Sequence, residues 1–430
     1  MRSVSLLCAL FACVPLSPIL AADVDRLAAG VDARVIEWRR DIHQHPELGN
    51  REVRTAALVA GHLRRLGLEV RTGIAHTGVV GILRGARSGP RIALRADMDA
   101  LPVTERVDLP FASRVVTEYA GQTTGVMHAC GHDAHTAILM GVAQALSSIR
   151  SSLPGEVMFI FQPAEEGPPP GEEGGASLML AQGLFRDFRP EAIYGLHVWS
   201  SLPVGTIGWR SGPIMASADR WVLVVQGTQT HGSRPWDGVD PISIAAQIQT
   251  ASHGIIARQI DITSSPVVLT TGAVHGGIRF NIIPDEVTME GTLRTFDMAV
   301  RAEVIERFER TAQSIADAAG GSAELVVENT APVTVNHPDL TERSLPVLAS
   351  VVGEANLKEM GLMTVAEDFS EYARRVPGFF FFVGATPRHR DPASAPANHS
   401  PEFFLDEEAL AIGTRAMLAL ALERLGVDAR

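Results

Sequence analysis

The stretch VMHACGHDAHTAILMG, residues 126–141, places a cysteine and several histidines at the spacing of metal ligands. A thiolate at Cys130 and an imidazole at His132 are both good ligands for a zinc-like ion, and the ion would keep the thiol deprotonated. The Cys-x-His spacing alone is a weak signal, because a buried structural cysteine is commoner. The surrounding acids and histidines favour a metal site, in which we expect His128 and His135 to support the ligands or to lie on a helix face.

Two adjacent carboxylates, Glu165 and Glu166, follow an apolar run and Pro163. Neighbouring side chains project in different directions and like charges raise each other's pKa, so the pair is suited to two separate roles. We predict that Glu166 binds metal and that Glu165 is the general base, drawing a proton from a metal-held water. The alternative is a solvated acidic turn, of the kind that Glu172 and Glu173 illustrate.

Two further histidines could complete a site for a pair of ions. His197 ends a predicted strand in AIYGLHVWS, and His399 lies in NHSPEF. Each of them alone would more often be structural. Two ions about 3.5 to 4 Å apart need several protein ligands and a bridging water, and these histidines supply the ligands that are otherwise missing.

The first 22 residues, MRSVSLLCALFACVPLSPILAA, have the layout of a secretory signal peptide. We expect cleavage after Ala21 or Ala22, and hence a periplasmic or secreted protein. A membrane anchor is the alternative, but the apolar run is short for a spanning helix and is broken by prolines. The sequence LFAC at 10–13 faintly resembles a lipoprotein cleavage box, which leaves lipidation as a minor alternative.

Cysteine content and charge narrow the class of protein further. Cys8 and Cys13 lie in the predicted signal peptide, so the mature protein would reach an oxidising compartment with Cys130 alone and without an intramolecular disulfide. The formal net charge of -12 argues against a nucleic-acid partner, and against a membrane partner beyond the signal peptide. A hydrophobic fraction of 46% over 430 residues is sufficient for two domains.

Apolar runs that alternate with helical segments predict an α/β fold with a mostly parallel sheet buried on both faces. A helix is also expected after the cysteine motif, with Asp133 as its cap. Ligands gather beyond the carboxyl ends of parallel strands, so we expect Asp97, Asp99, the glutamate pair and His197 to converge there. The other elements are predicted as helices at 24–44 and 50–66 and strands at 79–83, 157–161 and 378–383.

The segment 214–330 has a different order of predicted elements, the β-α-β-β-α-β order of a ferredoxin-like domain. We therefore predict a signal peptide at 1–22 and a catalytic domain formed by 23–213 and 331–430, with 214–330 inserted as a lid. Within the lid we expect strands at 219–227, 266–273, 286–294 and AELVVEN, a helix capped by Asp240 with Pro241 first, and a helix from 298 to Gly320.

The motifs together resemble those of a known family. In chain order they are similar to motifs of the metal-dependent amidohydrolases of the aminoacylase and carboxypeptidase clan, peptidase family M20. The branch they most resemble is that of hippurate hydrolase, N-acyl-amino-acid hydrolase and auxin-conjugate hydrolase. The resemblance runs from about residue 34 to 410 and implies a dinuclear metallohydrolase domain with an inserted lid that also mediates dimerisation. The motifs are RRDIHQHPELG, ALRADMDALP, MHACGHDAHTA, FQPAEEG, LHVWS, NIIPDEV, GTLRTFD, AEDFS and NHSPEF.

Position by position, the resemblance implies roles for individual residues. It implies that His231, in THGSRP, stabilises the oxyanion, often from the neighbouring subunit. Asn281 and Arg294 match positions that contact substrate, and the forked donors of Arg294 suit a carboxylate. Wider-clan enzymes have His-x-Asp where this chain has Asp97-Met98-Asp99, so we assign Asp99 a supporting role in catalysis and leave the role of Asp97 open. The implied metal ligands are Cys130, His132, Glu166, His197 and His399, with Glu165 as base.

The resemblance also implies a cofactor and a reaction. The cofactor is two divalent ions per chain, zinc first, with manganese or cobalt as alternatives. The reaction is hydrolysis of the amide between an acyl group and an amino acid, releasing a carboxylic acid and a free amino acid. The acyl group is expected to be apolar or aromatic, as in hippurate, auxin conjugates or the toxin ochratoxin A. We expect a homodimer or higher homo-oligomer through the lid.

Two alternatives to this function stay open. One is a dipeptidase or carboxypeptidase that acts on free peptides. The other is a non-catalytic binding module, whose expected mark is loss of the base or the ligands. Departures from the family pattern lie at the expected pocket rim, in GPPPGEEGGAS and TQTHGSRPW, so substrate preference is the least determined property.

Overall fold

A computed structural model describes residues 18–427 of the chain, with side chains from residue 23 onward. The predicted signal peptide, residues 1–22, therefore lies largely outside the described residues and stays a prediction. Among the described residues, none of the helices has both the length and the hydropathy that a membrane-spanning helix needs.

Helices and strands alternate along most of the described chain. The α-helices are α1 (Pro18–Ala29), α2 (Asp32–Gln44), α3 (Val53–Arg65), α4 (His132–Ser148), α5 (Gly175–Ala181), α6 (Pro241–Gln259), α7 (Met298–Ala318), α8 (Pro338–Val352), α9 (Phe369–Ala373) and α10 (Glu408–Leu425). The strands are β1 (Glu69–Ile74), β2 (Gly78–Arg84), β3 (Arg87–Asp97), β4 (Val116–Tyr119), β5 (Gln122–Gly125), β6 (Pro154–Gln162), β7 (Ala192–Pro203), β8 (Ile207–Trp209), β9 (Gly212–Met215), β10 (Ala218–Gln226), β11 (Thr230–His231), β12 (Val267–Gly276), β13 (Ile282–Ile283), β14 (Glu286–Thr295), β15 (Ser322–Ala331), β16 (Thr334–Asn336), β17 (Leu357–Glu359) and β18 (Gly378–Thr386). Short 3-10 helices lie at Pro235–Asp237, Glu354–Asn356 and Pro392–Ser394.

A central sheet of eight strands has the order β1-β2-β6-β3-β7-β18-β8-β17. Its middle strands β6, β3, β7 and β18 are parallel neighbours, whereas β2 pairs antiparallel with β6, and β8 antiparallel with β18. Because parallel strands need crossover connections, helices cover both faces of this sheet. The predicted mostly parallel α/β sheet is therefore confirmed.

The run of four phenylalanines in β18 explains how one strand supports two cores. Every residue of β18 is buried. Successive side chains of a strand point to opposite faces, so Phe379 and Phe381 pack with α4 and α10, whereas Phe380 and Phe382 pack with α5 and α9. The strand is therefore held from both sides and can position residues at its carboxyl end.

A second sheet, with the order β12-β14-β10-β15, lies between residues 218 and 331. Its strands are antiparallel, and α6 and α7 pack on one face around Trp221 and Phe308. This is the strand order of the ferredoxin-like motif. Asp240 accepts hydrogen bonds from the backbone N–H groups of Ile242 and Ser243, so the predicted cap of α6 is confirmed. The domain limits at 214 and 330 stay a prediction.

Two expected elements differ from the structure. The helix expected over 24–44 is divided into α1 and α2, because the chain turns between them at Gly30 and Val31. His197 does not end its strand, because β18 pairs with β7 through His197 and onward to Pro203.

The start of α4 also differs from the prediction. Gly131 is the N-cap residue, with a φ of 92° that favours glycine, and a Cβ there would lie 2.4 Å from Val198 Cγ2. Asp133 lies in the first turn, where its carboxylate accepts hydrogen bonds from Arg39 Nε at 2.8 Å and from His43 Nδ1 at 2.9 Å. The prediction that Asp133 caps the helix is therefore wrong, because these buried partners from α2 engage its carboxylate.

Buried His62 of α3 gives the fold a testable acid sensitivity. Its Nε2 lies 3.1 Å from the Met140 carbonyl oxygen, and burial lowers its pKa from 6.5 to about 4. The unfolded chain takes up this proton below its pKa of 6.5, whereas the folded chain does not until about pH 4. The contribution of neutral His62 to the free energy of unfolding is therefore complete above pH 6.5, and it is lost as the pH falls towards 4.

Substitution His62→Gln, which keeps an N–H donor for the carbonyl, should remove this dependence. Between pH 7 and pH 5 the free energy of unfolding should fall by about 2 kcal/mol less in the variant than in the unmodified protein. Urea denaturation at the two pH values measures this difference. Equal losses in the two proteins would contradict it.

Candidate metal centre

The chemically distinctive side chains come from separate segments that meet at one edge of the central sheet. β3 and β6 run parallel, and the last residue of β3, Asp97, pairs with Gln162 at the end of β6. Glu165 and Glu166 follow β6 directly. Cys130 precedes α4, His132 begins it, His197 lies in β7, and His399 lies in the loop before α10.

Cys130 belongs to two of the groups that could each hold a metal ion. In each group the candidate ligand atoms lie within 4.8 Å of one another. The Sγ atom of Cys130 lies 3.3 Å from His197 Nε2. Among the described residues there are five such groups, and each contains a sequence-predicted ligand or the predicted base: Cys130 with His132 and His197, Cys130 with Glu166 and His399, His132 with Glu165 and Glu166, Asp97 with His132 and His135, and Glu165 with Glu367 and Asp368.

The histidine tautomers leave lone pairs that point into this cluster. His197 Nδ1 lies 2.7 Å from the Val198 carbonyl oxygen and so donates to it, which leaves Nε2 unprotonated beside Cys130. His132 Nδ1 donates to Asp99 Oδ1 at 3.2 Å, and its Nε2 is buried without a hydrogen-bond partner. An unpartnered buried imidazole nitrogen is costly unless a cation occupies the position in front of it.

The remaining donors have the same character. Glu166 Oε1 is buried without a hydrogen bond, although His399 Nε2 lies only 2.9 Å away. Burial and the neighbouring glutamates raise the pKa of the Cys130 thiol well above its usual value, which disfavours a thiolate unless a cation compensates. Sulfur, nitrogen and oxygen donors around buried unpartnered atoms fit zinc-like divalent ions.

Asp99 connects two of the candidate ligands. Its Oδ1 accepts from His132, and its Oδ2 accepts from the backbone N–H of Glu166 at 3.0 Å. One carboxylate thus orients an imidazole and the loop that carries the glutamate pair, which is the usual task of a group behind a metal ligand.

Asp97, for which the sequence left the role open, is fully engaged by other residues. Its Oδ2 accepts from Arg95 Nη1 at 2.7 Å, and its Oδ1 accepts from His135 Nδ1 at 2.6 Å. His135 Nε2 in turn accepts from the backbone N–H of Val198 at 2.9 Å. Because both nitrogens of His135 are engaged, Asp97 and His135 brace β3 against α4 and β7.

Glu165 lies in the most acidic part of the site. Burial raises its pKa well above the usual value, and the carboxylates of Glu367, Glu166 and Asp368 raise it further, whereas Arg95 lowers it. A carboxylate with a raised pKa holds a proton more firmly once it has taken one, which suits a group that must take a proton and then return it.

His399 reaches the cluster from a strained loop. Its φ is 73°, in the left-handed region, and its backbone N–H donates to the Ala129 carbonyl at 2.8 Å. Asn398 fixes the same loop by donating to the carbonyl oxygens of Cys130 and Val198, both at 3.1 Å. Asn398 was not predicted from the sequence, although its place beside His399 in NHSPEF is a signal that could have found it.

Arg95 and the Glu367-Asp368 pair were also missed. Arg95 is fully buried and donates to Glu367 Oε1 at 2.9 Å and to Asp368 Oδ1 at 3.0 Å. The available signal was the charged residue Arg95 inside the apolar strand RIALRAD, because a guanidinium in a sheet core requires buried acidic partners.

The three residues predicted in the lid lie apart from this cluster. His231, in β11, is exposed and accepts from the backbone N–H of Ser233 at 3.0 Å. The backbone carbonyl oxygen of Asn281 accepts from the backbone N–H of Gly232, so the backbone of Asn281 lies beside the residue that follows His231. Arg294 is half-buried in β14 beside a cavity of about 370 Å³. Among the described residues, no hydrogen bond or ion pair joins the three to the Cys130 groups.

The match to a family model covers most of the chain. The model described as Peptidase family M20/M25/M40 matches residues 93–423. The chain belongs to this family. The predicted M20 membership is therefore confirmed.

Several relatives resemble this M20 chain over nearly its full length. Thermostable carboxypeptidase 1 of Saccharolobus solfataricus is 41% identical over 391 residues, which cover 90% of this chain and 95% of that protein. N-acetylcysteine deacetylase of Bacillus subtilis is 38% identical over 397 residues, covering 90% and 96%. IAA-amino acid hydrolase ILR1-like 4 of Arabidopsis thaliana is 36% identical over 391 residues, covering 90% and 84%.

The solved structures agree with the fold and the centre. The Bacillus subtilis YXEP protein, described as a dinuclear metal binding peptidase from the M20 family, matches with a TM-score of 0.77 and 35% identity. The match covers 93% of this chain and 99% of that one. The M20 chain is accordingly a metal-dependent amidohydrolase with a centre for two divalent ions.

Proposed function

We propose that this M20 enzyme hydrolyses the amide bond of N-acyl amino acids, releasing a carboxylic acid and a free amino acid. The observation that carries the proposal is that Cys130 belongs to two ligand groups and that Glu165 lies beside them. Relatives that act on N-acetylcysteine and on IAA-amino acids support this substrate class.

Each of the two groups that contain Cys130 would hold one ion, and both groups would share Cys130. Cys130, His132 and His197 would bind one, and Cys130, Glu166 and His399 the other. The ions would be zinc, with manganese or cobalt as alternatives, because the mixed sulfur, nitrogen and oxygen donors accept all three. When bound, such ions acidify water and polarise a carbonyl group.

The side chains of the enzyme then perform the proton transfers. Glu165 takes a proton from the attacking water as the water oxygen bonds to the amide carbon. As the carbon–nitrogen bond breaks, Glu165 returns that proton to the leaving nitrogen, so that an acid and an amine are released. Asp99 keeps His132 and the glutamate loop in place throughout.

His231 would stabilise the oxyanion from the lid. Because His231 is exposed and, among the described residues, makes no hydrogen bond or ion pair with the Cys130 groups, this role requires the lid to close or a second subunit to supply the histidine. We therefore propose a homodimer, or a higher homo-oligomer, in which lids complete the sites. Asn281 and Arg294 would contact the amino-acid half, with Arg294 binding its carboxylate.

The acyl half is proposed to be apolar or aromatic, including toxin amides of the ochratoxin type. Half-buried Trp199 supports this, because its ring lies 5.9 Å from that of His197 and 5.3 Å from that of Phe382. An apolar acyl group beside the metal ligands would pack against this indole, whereas a charged amine there would lose its hydration.

A carboxypeptidase activity on free peptides is the second candidate, and the 41% identity to a thermostable carboxypeptidase favours it. Benzoyl-leucine and phenylalanyl-leucine separate the two, since they share a leaving group and carry an aromatic ring. We expect kcat/KM to be at least about 100-fold higher for benzoyl-leucine, because the dipeptide must bury an ammonium group. A dipeptide that is turned over equally well would favour the carboxypeptidase.

The location of the enzyme follows from its proposed signal peptide. We propose that it is periplasmic or secreted. The layout of residues 1–22 supports this, and lipidation is the minor alternative.

A further inference from the structure

The loop 163–174 carries Glu165 and Glu166 between β6 and α5. The loop is proline-rich and partly exposed, so its two ends must be fixed if Glu165 is to keep one position. Asp368 fixes both ends of the loop, although it lies far away in sequence at the start of α9.

The Asp368 carboxylate contacts both ends of the loop. Gln162, the last residue of β6, donates from Nε2 to Asp368 Oδ1 at 2.7 Å and to Oδ2 at 2.8 Å. Ala176, in the first turn of α5, donates its backbone N–H to Asp368 Oδ2 at 2.8 Å. The backbone N–H of Asp368 itself faces Glu165 Oε1 at 3.4 Å. One residue thus closes the loop and reaches the proposed base.

Asp368 is itself held rigidly. Arg95 donates to it and also to Glu367, whose Oε1 accepts the backbone N–H of Phe369 at 2.9 Å. Thr334 donates to the Glu367 carbonyl oxygen at 3.1 Å. The turn 367–369 is therefore fixed on both sides of the amide that faces Glu165.

Gly175 shows how closely the loop approaches this carboxylate. Its φ is 66°, and a Cβ there would lie 2.5 Å from Asp368 Oδ2 and 3.1 Å from the Ala164 carbonyl oxygen. Any other residue at this position would push the loop away from Asp368. The close approach to Asp368 therefore requires a glycine at position 175.

The outer part of the loop has a separate attachment. Glu172 accepts from Asn50 Nδ2 at 3.0 Å and from Arg51 Nη1 at 3.0 Å, and Asn50 also donates to the Glu173 carbonyl oxygen. Loss of the Asp368 contacts would therefore leave the loop attached to the protein. What would change is the position of its inner part, which contains Glu165.

We propose that Asp368 is the positioning residue of the general base. Its carboxylate closes the loop 163–174, and its backbone N–H orients Glu165. The proposal rests on the proposed role of Glu165 in amide hydrolysis. A base displaced by about 1 Å from the attacking water loses on the order of 100-fold in rate, although substrate and ions still bind.

The test uses the variant Asp368→Asn in the full-length, metal-loaded enzyme. Asparagine keeps the size but turns an N–H group towards the donors of Gln162 or Ala176, so one contact is lost. Arg95 keeps its ion pairs with Asp97 and Glu367, and no unpaired guanidinium is left. We expect kcat to fall about 10- to 100-fold, with KM and the number of bound ions unchanged. Gly175→Ala should give the same pattern.

The matched control is Glu371→Gln, which makes the same chemical change in the same short helix. Glu371 pairs only loosely with Arg374, at 3.7 Å, and lies outside the loop contacts, so its kcat should equal that of the unmodified enzyme. If Asp368→Asn loses its ions or raises KM as much as it lowers kcat, Asp368 has a general structural role and the proposal is overturned.

A double variant separates this proposal from the proposed function. If Asp368 acts through Glu165, adding Asp368→Asn to Glu165→Gln should lower kcat no further. An additional loss equal to that of the single variant would overturn the positioning role while leaving the reaction intact. Full activity of Glu165→Gln alone would instead overturn the role of Glu165 itself.

Discussion

Replacing Glu165 with glutamine should lower kcat by about a thousandfold while leaving two divalent ions bound. The amide keeps the shape of the side chain but cannot take a proton from water or return one to the leaving amine. Glu165 is not a member of either ligand group that contains Cys130, so the ions should stay. Steady-state kinetics on benzoyl-leucine, together with elemental analysis of the same preparation, measures both quantities.

Glu173→Gln provides the matched control for this variant. Glu173 lies on the same loop with an exposed side chain, and its described contacts use the backbone carbonyl oxygen. We expect this variant to keep normal kcat and KM. If Glu165→Gln is comparably active, Glu165 is not the base, whatever its surroundings.

Replacing Cys130 with alanine should remove both ions. The thiolate is common to two ligand groups, so its loss leaves each proposed site with two protein ligands, fewer than zinc sites usually have. Activity should fall to the level of the chelator-treated enzyme, and elemental analysis after dialysis should find the metal content near zero.

The comparison variant is His399→Ala, which takes a ligand from one group only. It should keep the ion held by Cys130, His132 and His197 and so retain about one ion per chain. Two tightly bound ions in Cys130→Ala would show that the thiol is not shared between the sites. Its burial would then be structural.

Much of the site could be predicted because its residues are local in sequence or follow strand ends. Cys130 and His132 lie two residues apart, and Glu165 and Glu166 directly follow a continuous apolar strand. Parallel strands end at one edge, so such residues converge whatever the details of packing. This is why the structure brings together the residues that residue type and the family resemblance indicated as candidate ligands.

The remaining features depend on partners that are distant in sequence. Asp133 was expected to cap α4, but α2 supplies Arg39 and His43, which lie 94 and 90 residues away, and both engage the carboxylate. Asp368 lies 206 residues from Gln162. No local pattern shows that such groups meet, because their contacts are made by the tertiary fold.

The lid shows a different limit of prediction. His231, Asn281 and Arg294 were assigned from family resemblance, and among the described residues no hydrogen bond or ion pair joins them to the proposed metal ligands. In the proposed mechanism their contact with substrate depends on closure or on another subunit, and neither is encoded in the local pattern of residues.

The loop 163–174 also has an outer segment, 168–171, whose last two residues are exposed. A Cβ at Gly171 would meet no atom within 4 Å, whereas Asp368 fixes both ends of the loop, and Asn50 and Arg51 hold Glu172 directly after the segment. Insertions in this segment, and substitutions at positions other than Gly171, whose φ of 82° favours glycine, should therefore be tolerated without displacing Glu165. An enzyme built in this way can acquire a new substrate range by mutation of the rim while its chemical step stays the same.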